Sequence, residues 1–138
     1  MDKNQTKDKS VLFVCVHNAG RSQMAEAFAK KHGLTASSAG TVPGSKVNPI
    51  VVEAMKETGI DISSNTPKML TNEMINQASL VVTMGCSVEQ VCPRPMLAKM
   101  QKKLVDWDIE DPKGKPIDEI RKIRDKIELN VQALKESR

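Results

Sequence analysis

Tyrosine is absent from the 138 residues, and the aromatic complement is two phenylalanines and one tryptophan. Grooves that bind nucleic acid without sequence preference use aromatic faces on which bases stack. The net charge of +4 is therefore not read as a nucleic-acid surface. In the C-terminal segment Lys and Arg alternate with Asp and Glu, the pattern of a solvated helix face. No apolar run approaches the roughly 20 residues that a membrane span needs, so no membrane association is expected. The first residues, M-D-K-N-Q-T-K-D-K, lack the apolar centre of a secretory leader. Residues 1–9 are expected to form a disordered tail ahead of one domain, 10–138, in a cytoplasmic protein. Cysteines number three, which does not suit a structural disulfide framework in that compartment. They form no C-x2-C pair, so a zinc site is disfavoured. No metal and no cofactor are expected. The modest basic excess favours small anionic substrates.

What is present is concentrated between Val11 and Ser22, V-L-F-V-C-V-H-N-A-G-R-S. Val11 to Val14 is too short for a helix and rich in β-branched residues, so it predicts a buried strand ending at Cys15. Met24, Ala25, Phe28 and Ala29 then recur at helical spacing with one buried face. The unit is strand, tight loop, helix. Backbone N–H groups of such a loop, running into a helix N-terminus, form a nest for a tetrahedral oxyanion. The nest is assigned to Val16, His17, Asn18, Ala19, Gly20, Arg21 and Ser22. Gly20 permits a close turn, and the Arg21 guanidinium can hold two oxygens at once. The same positive field favours a thiolate at Cys15, aimed at the centre of the bound anion. Ser22 is placed either to hydrogen-bond that sulfur or to cap the helix.

Further along, Gly33 suits a helix C-cap, with His32 meeting the dipole in the last turn. Leu34 to Ala39 predicts a second strand. Asn48-Pro49 opens a helix as cap followed by proline, with Val51, Ala54 and Met55 inward and Gly59 as its stop. Thr66-Pro67 repeats the cap-then-proline signal, and Thr71 caps a further helix through Ile75. Leu80 to Met84 predicts a strand buried on both faces, and Lys103 to Trp107 a fourth strand. Ile117, Ile120, Ile127, Val131 and Leu134 define the buried stripe of a final helix starting near Pro116. Strands alternating with helices imply an α/β domain of three layers, a four-stranded parallel sheet covered on both faces. Ligands sit at the carboxyl ends of such strands. Cys15, Cys86 and Asp111 each follow a strand and are expected on that rim.

Cys86 and Cys92 lie in M-G-C-S-V-E-Q-V-C-P-R-P. Inert buried thiols, zinc ligands and a redox pair are all open to them, and the glycine and prolines favour a loop over core. A redox pair fits best: Cys86 would approach Cys15 from the neighbouring strand, and Cys92 would reach Cys86 if the intervening segment moves. Of the carboxylates Asp106, Asp108, Glu110 and Asp111, most acidic clusters of this kind are solvated. A leaving oxygen nevertheless needs one proton donor within hydrogen-bond reach.

The stretch C-V-H-N-A-G-R-S followed by Q-M-A-E-A resembles the low-molecular-weight tyrosine phosphatases and the thioredoxin-coupled arsenate reductases of the same fold, and the resemblance runs from about Lys9 to the last helix. It implies a low-molecular-weight phosphatase-like fold with Cys15 as nucleophile, Arg21 on the oxyanion and Asp111, preceding Pro112, as the acid. It implies further that Cys86 and Cys92 are a resolving pair, as in the reductases, whereas the phosphatases generally lack one. The expected activity is reduction of arsenate to arsenite by a three-cysteine relay regenerated by thioredoxin. The alternative is a phosphatase for phosphotyrosine or small phosphoesters using Cys15, Arg21 and Asp111. Lys113 stands where such phosphatases usually carry an aromatic, which argues against phosphotyrosine. Some relatives brace the loop with potassium. The matching positions are Asn18, Glu26 and Ser38, but the expected acidic ligand aligns with Lys68, whose ammonium would replace the ion.

Overall fold

A computed structural model describes residues 10–84 and 104–136. The expected tail 1–9 lies outside these residues, as do Cys86 and Cys92. Four strands, β1 (Val11–Cys15), β2 (Ala36–Gly40), β3 (Leu80–Thr83) and β4 (Leu104–Asp106), alternate with helices α1 (Arg21–Lys31), α2 (Pro49–Lys56), α3 (Asn72–Gln77) and α4 (Ile117–Glu136). All pairings are parallel, in the order β2-β1-β3-β4. The register sets Cys15 opposite Gly40 and Thr83 opposite Asp106. The strands therefore finish together on one rim, as the α/β pattern predicts.

The apolar run of β1 is explained by burial on both faces. Val11, Phe13 and Cys15 point into a core shared with α1, α2 and α4. Leu12 and Val14 point into a second core with Ala39, Val81, Leu70 and Ile75 of α3. Phe28 and Met24 of α1 and Ile120, Ile127 and Val131 of α4 are fully enclosed. Phe13 meets the half-buried Trp107 at 5.7 Å between ring centroids. Between them these residues use every aromatic ring of the chain, so none remains for the rim.

Local signals behave largely as their chemistry dictates. Asn48 caps α2 by accepting the Ile50 N–H, with Pro49 at the first helical position. Thr71 caps α3 by accepting from Met74. Gly33 (φ +87°) and Gly59 (φ +86°) follow α1 and α2 in the left-handed region. The residues beyond them, Leu34 and Ile60, donate back to Ala29 and Met55, which closes orphan carbonyls. That return bond holds Leu34 in the helix exit, and β2 consequently begins at Ala36 rather than Leu34. Thr66-Pro67 starts no helix. The segment after it runs alongside the end of β2 instead: Gly40 N–H donates to Lys68 O and Leu70 N–H to Gly40 O, with Leu70 in the second core.

α2 and α4 are joined on the surface by Glu57, which accepts from Arg121 and Arg124. The hydrogen bonds to Arg121 first, and Arg124 second, hold its carboxyl down from 4.5 to about 2. A depressed carboxylate contributes stability above its ordinary value, and the contribution disappears as pH falls through the native one. Glu57→Gln should therefore lower the melting temperature slightly at neutral pH, since exposed pairs are weak. The gap to wild type should close between pH 4.5 and pH 2, as read by thermal unfolding across that range.

Candidate active site

The loop between β1 and α1 wraps the Cys15 thiol. Cys15 is buried at the end of β1, and its Sγ lies 2.9 Å from Ser22 Oγ and 3.2 Å from the Asn18 N–H. Ser22 takes the sulfur option: α1 starts after Gly20 without a side-chain cap. Asn18 decides the direction of that contact. Its Oδ1 accepts the Lys68 backbone N–H at 2.9 Å, so its Nδ2 must be the end that meets Ser22 Oγ at 2.7 Å. Ser22 therefore accepts from Asn18, which leaves its own proton available to the sulfur. Two polar hydrogens can thus converge on Sγ.

The loop carbonyls face away from the sulfur. Val16, His17 and Ala19 accept the N–H groups of Val42, Gly44 and Asn48. Among the described residues all peptides are trans, so C=O and the next N–H point in opposite directions. Outward carbonyls at 16, 17 and 19 turn the N–H groups of His17, Asn18 and Gly20 inward. The Asn18 N–H on Cys15 Sγ shows this directly. The expected oxyanion nest is thus built from backbone, with Asn18 at φ +52° as its left-handed corner.

Arg21 is held by backbone beyond the neighbouring strands. Its Nη1 donates to Met84 O at 2.8 Å and Ile109 O at 3.1 Å, carbonyls beyond β3 and β4. With Nη1 committed, the Nε–Nη2 edge is the fork left for an oxyanion. Asp111 Oδ2 stands 3.8 Å from Nη2, and the Lys113 N–H donates to Asp111 Oδ1, which fixes an otherwise exposed carboxyl. Cys15, Arg21 and Asp111 line one cleft of about 370 Å³ with His17, Ser45, Lys46 and Lys113. The structure thus brings together three of the five residues expected to be catalytic. Cys86 and Cys92, the other two, are not among the described residues. Asp106 accepts from Thr83 Oγ1 and Glu110 pairs with Lys115, so two of the neighbouring carboxylates have structural partners instead.

Two features were not visible in the sequence. Gln23 is fully buried beneath the loop and donates to both oxygens of Asn18. A polar residue in the first turn beside buried Met24 was the only hint of it. Lys46 and His17, the latter bound through Nδ1 to Val42 O, line the same cleft as Lys113, a juxtaposition that crosses loops.

The positions aligned with a potassium site do not fit a cation. Asn18 Oδ1 already accepts from Lys68 N–H and Gln23 Nε2, which uses both lone pairs. Glu26 Oε1 accepts from Ser38 and faces the Lys68 ammonium at 3.9 Å, while Oε2 pairs with Lys30 at 2.6 Å. Positive charge is supplied there by the chain itself.

Similarity to known proteins extends over nearly the whole chain. Residues 10–137 match the sequence profile of the low molecular weight phosphotyrosine protein phosphatases. The chain is 38% identical over 131 residues to an arsenate reductase of Staphylococcus aureus (strain Newman), covering 92% of this chain and 96% of that one. An arsenate reductase solved in the phosphate binding state is similar in structure with a TM-score of 0.79 and 34% identity, over 91% of this chain and 95% of that one. An arginine phosphatase from Geobacillus stearothermophilus gives 0.82 at 29% identity, over 94% and 92%.

Gly40 supports the loop by close approach: a Cβ there would stand 2.6 Å from Val16 O and 3.0 Å from Asn18 N, both backbone. Gly40→Ala should displace the nest, costing about 1–3 kcal/mol in thermal unfolding and weakening phosphate binding by calorimetry. Exchanging potassium for a bulky organic cation at constant ionic strength should leave the melting temperature unchanged. A potassium-specific rise would show that an ion does seat there.

Proposed function

The chain belongs to the low molecular weight phosphotyrosine protein phosphatase family, and we propose that within it the protein is an arsenate reductase. The observation that carries this reading is the cleft: Cys15, Arg21 and Asp111 line it together with Lys46 and Lys113, and among the described residues no phenylalanine, tyrosine or tryptophan does. A small tetrahedral oxyanion needs only the nest and the fork, whereas phosphotyrosine presents a ring that would go unstacked. The curated reductase relative, similar over nearly its whole length, supports the same choice.

The proposed sequence begins with arsenate on the loop N–H groups and the Nε–Nη2 edge of Arg21. Cys15 thiolate forms an S–As bond while the leaving oxygen takes a proton from Asp111 and departs as water. Cys86 thiolate then attacks Cys15 Sγ. An S–S bond forms, the S–As bond breaks with its electron pair left on arsenic, and arsenite is released. Cys92 attacks Cys86, which frees Cys15 as thiolate and leaves a Cys86–Cys92 disulfide. Two electrons have passed from two thiols to arsenic. A dithiol protein of the thioredoxin class returns them by exchange with that disulfide. The relay needs resting thiols in the reduced state, which places the enzyme in a reducing compartment such as the cytoplasm.

Arsenate-dependent NADPH oxidation, coupled through thioredoxin and thioredoxin reductase, tests the proposal. Wild type should turn over repeatedly, and Cys86→Ser should fall to background. Equal aryl phosphate hydrolysis by both proteins with no arsenate-dependent oxidation would identify a phosphatase and leave the distal thiols without a catalytic role.

A further inference from the structure

Gln23 takes no part in the sequence of steps above, yet it is the most completely engaged polar side chain behind the loop. It is fully buried in the first turn of α1. Its Nε2 donates to the Asn18 backbone O at 3.2 Å, to Asn18 Oδ1 at 3.1 Å and toward Thr66 O at 3.4 Å. Its Oε1 accepts from Asn65 Nδ2 at 3.2 Å. The amide orientation is not arbitrary, because a backbone carbonyl can only accept and so requires the NH2 end.

We propose that Gln23 is a positioning residue that holds the Asn18–Ala19 peptide in the one orientation that serves the oxyanion. Asn18 sits at φ +52°, a region that costs a non-glycine residue energy unless its surroundings impose it. Gln23 imposes it from below by capturing the Asn18 carbonyl. In a trans peptide the following N–H, that of Ala19, then points the opposite way, toward the oxyanion side of the loop. The neighbouring peptides are fixed by the carbonyls of Val16, His17 and Ala19 bonding outward to residues 42–48, and Gln23 does the same for the remaining one from the other side. Its second contact, to Asn18 Oδ1, holds the side chain whose Nδ2 orients Ser22 toward sulfur. One amide thus sets an anion donor and, through Asn18 and Ser22, a thiolate donor. The inference rests on Cys15 acting as a thiolate nucleophile.

The test uses full-length protein carrying Cys86→Ser and Cys92→Ser, so that Cys15 is the sole thiol. Gln23→Met keeps the volume and removes the donors. Gln23→Glu keeps the shape and an acceptor for Asn65 while presenting only acceptors to Asn18. Each is compared with the unsubstituted background for inorganic phosphate binding by calorimetry, for Cys15 ionisation by ultraviolet thiolate absorbance and for melting temperature. Both substitutions should weaken phosphate about tenfold, the scale of one hydrogen bond to a charged group. Both should reduce the thiolate absorbance of Cys15 at neutral pH, with Glu the larger effect. Unchanged phosphate affinity and an unchanged thiolate absorbance in a folded variant, with only the melting temperature lowered, would make Gln23 core filling and overturn the proposal. If the Met variant does not fold, the isosteric Glu variant supplies the same readouts. Absence of thiolate absorbance at neutral pH in the unsubstituted background would instead overturn the thiolate reading itself, a distinct result.

Discussion

The contact on which the site depends is the pair of donors at the Cys15 sulfur, the Asn18 N–H and the Ser22 hydroxyl. Neither is available by default. The first exists because Asn18 adopts a left-handed backbone. The second exists because the Asn18 amide consumes one acceptor position of Ser22 and is itself oriented by the Lys68 N–H. The thiol environment is therefore set by backbone groups outside the loop, passed through two side chains. A buried thiolate without such donors would carry a large desolvation penalty, so the network is the condition for a nucleophile at this position.

The parallel sheet supplies the rigid frame. Because β1, β2, β3 and β4 end on one rim, a single arginine from the start of α1 reaches carbonyls beyond both β3 and β4. Those bonds brace the guanidinium and leave one edge for a ligand. Preorganisation of this kind removes the cost of arranging donors during reaction. The close approach of Gly40 to Val16 and Asn18 ties β2 into the same frame, and the 65–70 segment bound to Gly40 holds Asn18 from behind.

Phosphoryl transfer and arsenate reduction make the same first demand on this frame: a thiolate, an anion nest and an acid on the leaving oxygen. They separate in what surrounds those groups. Here the aromatic rings are spent inside the fold, Phe13 and Phe28 fully and Trp107 in part, while lysines and a histidine face the cleft. A cationic rim without a stacking surface matches a compact oxyanion better than an aryl ester. Around Glu26 the chain likewise uses its own ammonium groups, Lys30 and Lys68.

Much of this was legible in the sequence because the relevant rules are local. A β-branched run, a helical apolar period, Asn48-Pro49 and the spacing from Cys15 to Arg21 each act over a few residues, and they specify the strand–loop–helix unit, the parallel α/β class and the candidate nucleophile. Thr66-Pro67 shows the boundary of that method: a sound local helix signal lost to pairing with Gly40 and burial of Leu70. The identity of the partners lay beyond it. Gln23 on Asn65 and Thr66, Met84 and Ile109 on Arg21, and Lys46 with Lys113 in one cleft join segments tens of residues apart. Sequence by itself determined which elements form and which groups carry chemistry, since propensity and periodicity are properties of neighbours along the chain. Only the tertiary structure decided which donor faces which acceptor, because that depends on strand register and on which buried polar atoms must find a partner once water is excluded.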